Sequence, residues 1–261
     1  MSTFARLEAR SLSDTNFKVF LETNLQRQFT SWPLPSLDLP TLTLAAFYFH
    51  PGLDVARAQW SVARGGETTA GGRPNPVLGV TPGYSGNPPR GVSPWFPSVT
   101  LDVPIETAGK RGYRLAHAGH LSEVARLNLA TAAWQVRSAV RAALLESAVA
   151  DRRAALLRDN VALQQGVLTL LEQRLAAGAV GVTELAPFRI TLIKARAEAA
   201  DAQRLATEAR AKIADALGLP ARSIDGLELV FDLQQSGDTD QLSAEARRAA
   251  LLGRADILAE S

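Results

Sequence analysis

The amino-acid sequence predicts a mainly α-helical protein with a small β part, in which long antiparallel coiled-coil helices are joined to a two-stranded hairpin. Before Gly109, four apolar residues alternate with other residues, as in a strand with one apolar face. These residues are Val99, Leu101, Val103 and Ile105. After Gly109, a helical apolar pattern continues for about 65 residues without a proline or a turn cluster. A short strand therefore leads into a very long helix, a junction that few soluble domains need.

Composition excludes several classes of function. The 261 residues carry a formal charge of only +2, with 28 basic residues mixed among 26 acidic ones, so no nucleic-acid partner is expected. The absence of cysteine excludes disulfides, thiolate metal sites and cysteine nucleophiles. The first residues lack the apolar core of a signal peptide, and no run of about 18 apolar residues predicts a transmembrane helix. Membrane strands are not excluded, because about ten alternating residues escape a hydropathy scan.

Residues 1–41 are predicted to be an N-terminal lead-in with one short helix, Asp14–Gln28. A helix at Leu42–Phe49 follows, and the prolyl-glycyl break after His50 separates it from a second helix. A cluster of glycines and prolines at residues 71–76 ends that second helix.

Residues 77–105 predict an antiparallel strand hairpin. Val77–Tyr84 indicates a first strand, weakened by a glycine and a proline, and the loop at residues 85–94 leads to a second strand at Trp95–Ile105. In the second strand Ser98, Thr100 and Asp102 form the polar face. Two strands alone would not be stable, so the hairpin needs further pairing or cover.

The long helix carries two apolar seams. The first steps by four and three residues, as in a coiled coil, and only its serine and glutamine are not apolar. It consists of Leu129, Ala133, Val136, Val140, Ala143, Ser147, Ala150, Ala154, Leu157, Val161, Gln164, Leu168, Leu171 and Leu175. The second seam lies about 160° around the helix and consists of Ala142, Val149, Leu156, Leu163 and Leu170. Two seams suit a helix with a neighbour on each side, as in a closed ring of helices.

A return helix completes a helical hairpin over residues 107–218. Gly178 is predicted to cap the long helix in a left-handed conformation, and Thr183 is predicted to be the N-cap of the return helix. Pro187 would then lie within the first turn, where a missing N–H costs least. The return helix has an apolar seam of its own and ends at Gly218.

Residues 221–261 are predicted to be an irregular polar connection followed by the start of another helix at Leu242–Ser261. Residues 249–257 can be laid over residues 45–53, about 204 positions earlier. We therefore expect an internal duplication whose second copy has just begun, so that the chain is the first half of a longer protein.

The order of these elements resembles one repeat of a TolC-type outer-membrane efflux protein, the outer membrane factor of tripartite export systems. The resemblance covers residues 42–220, read as the first repeat, and more weakly the start of a truncated second repeat. It is carried by the segments RPNP, DVPI, AAWQVRSAVRAALLE, RLAAGAVGVTEL and ALGLP. Within the tip segment, the family pattern of a glycine, a Ser or Thr and an acidic-leucine pair matches Gly178, Thr183, Glu184 and Leu185.

The resemblance implies a channel subunit in the outer membrane with long periplasmic helices. Three chains with two repeats each would form a 12-stranded transmembrane β-barrel continuous with a helical α-barrel, a passive duct for small molecules or metal ions. Its expected partners are two further copies, a periplasmic adaptor protein, an inner-membrane pump and outer-membrane lipid. Val99, Leu101, Val103 and Ile105 are expected to face lipid. The expected adaptor-docking tip comprises Gly178, Ala179, Val180, Gly181, Val182, Thr183, Glu184 and Leu185.

A soluble periplasmic coiled-coil adaptor or scaffold is the alternative, although it has no need of a strand with one apolar face. An enzyme is not expected, because the sequence lacks a set of nucleophile, base and orienting residue and a phosphate-binding glycine loop. His117 and His120 lie three residues apart without a third ligand, so neither a metal site nor a cofactor is expected.

Overall fold

The computed structural model describes residues 3–91, 93–231 and 243–260, and its fold is mainly α-helical with a small β part, as predicted. The helices are α1 (Thr3–Glu8), α2 (Thr15–Leu25), α3 (Leu39–Phe49), α4 (Pro51–Gly71), α5 (Lys110–Ala176), α6 (Val182–Leu217), α7 (Ala244–Leu252) and α8 (Ala255–Glu260). The strands are β1 (Ser36–Leu37), β2 (Val77–Thr81), β3 (Ser98–Asp102) and β4 (Glu228–Leu229). β2 pairs with β3 in antiparallel orientation, and β1 pairs with β4 in parallel.

No helix within these described ranges is both long enough and apolar enough to cross a membrane.

The chain divides into two compact units. One comprises Met1–Asp54 and Ala130–Leu251, and the other comprises Val55–Leu129 and Leu252–Ser261. The first unit contains the lead-in, α3 and most of the helical hairpin, and the second contains the strand hairpin.

The core of the first unit is built from the lead-in and α3. Asp14 caps α2 by accepting a 2.8 Å hydrogen bond from the backbone N–H of Asn16, and Asp38 caps α3 in the same way with Thr41 at 3.0 Å. The buried apolar side chains of this core include Phe17, Leu21, Leu42, Ala45, Ala46, Phe49, Leu217 and Ile224. The lead-in is therefore part of the folded unit and packs onto the region where α3 and α6 end.

The parallel pairing of β1 with β4 was not predicted. It joins Ser36 to Glu228 and Leu37 to Leu229, and the backbone N–H of Val230 donates a 2.9 Å hydrogen bond to the carbonyl of Leu37. Residues 221–241 were expected to be irregular, yet they begin with a short 3₁₀ turn and β4. Residues 232–241 of this connection lie outside the described ranges.

α5 and α6 pack as an antiparallel hairpin with one constant register. Glu172 pairs with Arg189 at 3.2 Å, and Asp151 pairs with Arg210 at 3.9 Å. From the first pair to the second, the position on α5 falls by 21 residues and the position on α6 rises by 21 residues. The register of the two helices is therefore constant along this length. The alanines of the predicted seam lie at the contact, where Ala154, Ala202 and Ala206 are buried together.

The C-terminal helices repeat the break between α3 and α4. α3 ends at Phe49 and α4 begins at Pro51, whereas α7 ends at Leu252 and α8 begins at Ala255. Leu242–Ser261 was expected to begin one helix, and the structure places a break within it; Leu242 and Ser261 themselves lie outside the described ranges. The two breaks lie about 204 residues apart in the chain. The internal duplication itself stays a prediction.

Candidate functional site

The strand hairpin has one apolar and one mainly polar face, because its register places apolar residues opposite apolar residues and mostly places polar or small residues opposite polar ones. Leu78 lies opposite Leu101 and Val80 lies opposite Val99, and directly paired residues of an antiparallel ladder project to the same face. The opposite face carries Thr81 with Ser98 and Gly79 with Thr100. The apolar face is fully open within this chain: Leu78, Val80, Val99 and Leu101 are each between 63% and 68% exposed.

Continuous pairing in this hairpin is shorter than predicted. β3 ends at Asp102, so the predicted lipid-facing residues Val103 and Ile105 lie just beyond it, 54% and 82% exposed. β2 ends at Thr81, before Pro82, which has no N–H to give to the ladder. The pairing register nevertheless resumes beyond the strands, with a bridge between Tyr84 and Trp95.

Aromatic residues close the loop end of the hairpin. The rings of Tyr84 and Trp95 meet edge-on, with centroids 5.0 Å apart. The ring of Phe96 lies over Gly83, where a Cβ atom would come within 2.3 Å of the ring, so only glycine fits under Phe96 in this arrangement.

Two arginines hold the other end of the hairpin, where α4 ends and α5 begins. The Nε of Arg111 donates a 2.8 Å hydrogen bond to the carbonyl of Gly71, and Arg114 donates to the carbonyl of Gly72 at 3.2 Å. Arg114 also forms an ion pair with Glu106. These bonds satisfy carbonyls that the end of α4 would otherwise leave unpaired, and they fix where the strands leave the helices.

The two predicted seams of α5 have different environments. In the first seam Val140, Ser147, Ala154 and Leu168 are buried against α6, although the Oγ of Ser147 has no hydrogen-bond partner among the described residues. The second seam faces away from α6 and is open: Val149, Leu156, Leu163 and Leu170 are between 53% and 70% exposed. Leu145 and Val167 extend this exposed stripe. At residues 142–149 the edge of this stripe borders α6, in a groove of about 410 Å³ lined by Ala142, Leu145, Val149, Ala202 and Leu205, among others.

The tip of the helical hairpin is a tight turn with helix caps on both sides. Gly178 adopts the predicted left-handed conformation, with φ of 72°, and the N–H of Ala179 donates a 2.9 Å hydrogen bond to the carbonyl of Arg174. Thr183 is not the N-cap, contrary to the prediction. Gly181 is the N-cap, and its N–H donates a 3.0 Å hydrogen bond to the Glu184 carboxylate.

This earlier start of α6 moves Pro187 to the sixth helical position, inside the helix rather than in its first turn as predicted. The predicted docking residues differ in accessibility. Val182 is 69% exposed, Val180 is half-buried, and Leu185 is 1% exposed because it packs inside the hairpin. Gly178, Ala179, Gly181, Thr183 and Glu184 are exposed.

Titratable residues in the described part of the chain form no group of three or more His, Cys, Asp or Glu side chains that could hold a metal ion. His117 and His120 lie on the exposed surface of α5. The Arg126 guanidinium, through its hydrogen bonds and its charge, lowers the pKa of Glu123. Both side chains lie on the surface, where such a pair adds little to stability.

A family model described as outer membrane efflux protein matches residues 50–219, which include both hairpins. The chain belongs to the outer membrane efflux protein family. This family is one of transport proteins rather than enzymes, and the recognition made from the sequence is confirmed.

Solved structures share the fold of this efflux-family chain. The outer membrane protein VceC from Vibrio cholerae has a TM-score of 0.62 at 18% identity, over 73% of this chain and 49% of its own. A membrane protein from Pseudomonas aeruginosa has a TM-score of 0.66 at 20% identity, over 85% of this chain and 53% of its own. The outer-membrane channel OprN has a TM-score of 0.62 at 21% identity, over 73% of this chain and 45% of its own. The chain spans about half the length of these solved chains. No curated relative matches the chain at a significant level of sequence similarity.

Sequence reasoning missed the two arginines that join the helices to the strands. Arg111 and Arg114 lie in the first turns of α5, where a cation is unfavourable beside the helix dipole. This unusual charge pattern is visible in the sequence and could have identified both residues, because an arginine at a helix N-terminus needs a hydrogen-bond acceptor or an anion outside its own helix.

Proposed function

We propose that this chain contributes to the outer-membrane channel of a tripartite export system, a passive duct through which an inner-membrane pump drives small molecules or metal ions. The observation that carries the proposal is the strand hairpin, which presents four open apolar side chains on one face and mainly polar or small residues on the other. A transmembrane β-barrel needs this pattern, with lipid outside and water inside.

One strand hairpin per chain is not enough to close a transmembrane β-barrel in a trimer. Two strands per chain would give six in a trimer, and their unpaired edges would be exposed in lipid, where an unsatisfied backbone group costs several kcal/mol. We therefore infer that the functional channel is a homotrimer of a longer protein, in which a second repeat adds two more strands per chain.

The exposed stripe of α5 supports the same assembly. Six apolar side chains between Leu145 and Leu170 face away from α6 and are at least 42% exposed. An open stripe of this length on a soluble scaffold would favour aggregation, whereas in a ring of helices a neighbouring hairpin covers it. The stripe thus favours a closed α-barrel over a soluble adaptor or scaffold.

The tip is the proposed docking surface for a periplasmic adaptor, which would connect the duct to its pump. Val182 is open at the very start of α6, beside the small residues Ala179 and Gly181. Leu185 supports this surface from inside the hairpin, where it is buried, and the exposed Glu184 stabilises the turn by accepting the hydrogen bond of the Gly181 N–H.

Cysteine labelling of the full-length trimer in outer membranes tests the proposal, and the absence of native cysteine in this chain removes any background within it. Val99→Cys and Leu101→Cys should resist a membrane-impermeant thiol reagent, because their side chains face lipid. Ser98→Cys and Thr100→Cys are the matched controls on the same strand and should react, because their side chains face the aqueous lumen. Equal labelling of both sets, or the reverse pattern, would overturn the assignment to a membrane barrel.

A further inference from the structure

The helix end of the strand hairpin carries three exposed cations that the channel function does not use. Arg73 lies four residues before β2, and Lys110 and Arg111 begin α5. We call Arg73, Lys110 and Arg111 the basic junction. All three side chains are exposed, and within the described residues none of them forms an ion pair.

Hydrogen bonds gather this cluster into one place. Arg111 reaches the carbonyl of Gly71, two residues before Arg73, so the cations from the end of α4 and from the start of α5 lie at the same end of the hairpin. Neighbouring Arg114 is neutralised by its ion pair with Glu106. Asp102, the last residue of β3, is an exposed anion at this end of the hairpin as well. The three cations of the basic junction outnumber it, so a net positive charge remains.

Apolar side chains accompany the basic junction. Ile105 is 82% exposed and Tyr113 is 77% exposed, and both lie in the short stretch that joins β3 to the second turn of α5. An exposed tyrosine beside lysine and arginine, at the edge of an apolar surface, is typical of residues at a membrane–water interface.

The dimensions of the hairpin fit this position. From the Val77–Asp102 pair to the Tyr84–Trp95 bridge, the chain advances by about 24 Å along the strands at 3.4 Å per residue. In a barrel whose strands tilt by about 40°, this length spans about 18 Å of an apolar band that is about 25 Å tall and has aromatic residues at its borders. With Tyr84 and Trp95 at one border, the apolar residues Val103 and Ile105 beyond β3 cover the remaining few ångströms. The basic junction then lies at the other border.

We propose that the basic junction binds the phosphate groups of anionic phospholipids in the periplasmic leaflet of the outer membrane. The apolar face of the hairpin would contact the acyl chains while Arg73, Lys110 and Arg111 contact the headgroup. Charge complementarity selects this occupant, because a zwitterionic headgroup offers no net charge to the three cations. The inference rests on the proposed function, since it requires the hairpin to lie in a membrane.

Native mass spectrometry of the full-length trimer tests the proposal by comparing retained phosphatidylglycerol with phosphatidylcholine. The wild-type trimer should retain phosphatidylglycerol preferentially. Arg73→Gln and Lys110→Gln should each weaken this preference about fivefold, and the double variant should remove most of it, because each cation near an anionic surface contributes a factor of that order. Arg111 is left intact because it also caps α4. Arg90→Gln, an exposed cation in the loop at the opposite end, is the matched control and should change nothing.

An unchanged preference in the double variant would overturn the proposal, as would an equal loss with Arg90→Gln. Full competition by inorganic phosphate would overturn it as well, because it would indicate a free-anion site rather than a lipid surface. Insertion into vesicles separates this failure from that of the function. A trimer that inserts and conducts without a lipid preference refutes only the lipid site, whereas a trimer that inserts into no bilayer refutes the channel function and the lipid site with it.

Discussion

Arg10 donates a 3.0 Å hydrogen bond to the carbonyl of Gly218, which lies 208 residues later in the chain. The same guanidinium donates a 2.6 Å hydrogen bond to the carbonyl of Phe49. Arg10 therefore joins the last residue of α3 to the residue that ends α6, and both carbonyls would otherwise lack a partner at the end of a helix. Through Arg10, the lead-in thus holds the end of α3 against the end of α6, next to the break at which α4 begins.

Arg10→Ala should lower the free energy of unfolding by about 2 kcal/mol, because two charge-assisted hydrogen bonds to half-buried carbonyls are lost. Chemical unfolding of the full-length protein, followed by circular dichroism, would measure this. Hydrogen exchange should also quicken at Leu219, whose N–H closes the end of α6. Arg90→Ala, which removes an exposed arginine, is the control. A change no larger than that of the control would show that the junction is held by packing alone.

Gly218 and Gly178 have the same backbone conformation but different surroundings, so comparing substitutions at the two positions tests how much the close packing around Gly218 contributes to stability. Both have φ of 72°, but a Cβ atom on Gly218 would lie 2.8 Å from the Cδ of Pro51 and 2.9 Å from the Cα of His50, whereas nothing lies within 4 Å of one on Gly178. Gly178→Ala should cost about 1 kcal/mol through backbone strain alone. Gly218→Ala should cost about 3 kcal/mol, because the backbone of the α3–α4 break must also move. Unfolding curves of both variants measure the difference, and equal costs would refute the role of close packing.

The sequence predicted those elements whose signal is local and long. The alternation from Val99 to Ile105 and the pattern after Gly109 each depend on neighbours within one strand or helix, and each predicted an element that the structure contains. The end of the strand was predicted wrongly, because the ladder also depends on the partner strand. β3 therefore stops at Asp102, opposite the first residue of β2, although the alternation continues to Ile105.

The parallel pair of β1 and β4 shows what local patterns cannot predict. Each strand has two residues, and the pairing joins Leu37 to Leu229 across most of the chain. Only tertiary packing of the lead-in against the end of α6 brings them together. The N-cap of α6 is a different error, because the preference for threonine at a cap is only statistical, whereas the Glu184 carboxylate three residues after Gly181 accepts the hydrogen bond that fixes the start of the helix.

Leu163→Asp should prevent trimer assembly while leaving the helical content of the chain intact. Leu163 is 70% exposed on the stripe that faces away from α6, so the substitution leaves the hairpin core unchanged but would place a charge in the packed contact with a neighbour. The matched control is Ala162→Asp, at an exposed position about 100° around the same helix. Gel electrophoresis of unheated samples would compare the trimers, and normal assembly of the Leu163→Asp variant would refute the covered stripe.

Val182→Asp should abolish export without affecting trimer assembly or membrane insertion. Val182 is 69% exposed at the first position of α6, where a negative charge suits the helix N-terminus. The fold should therefore tolerate the change, but an apolar contact with an adaptor would not, because the charge would lose water there. Val19→Asp, at a valine of α2 that is 58% exposed, is the matched control. Export from channel-deficient cells and crosslinking to the adaptor would be measured for both variants, and normal export by the Val182→Asp variant would exclude the tip as the docking surface.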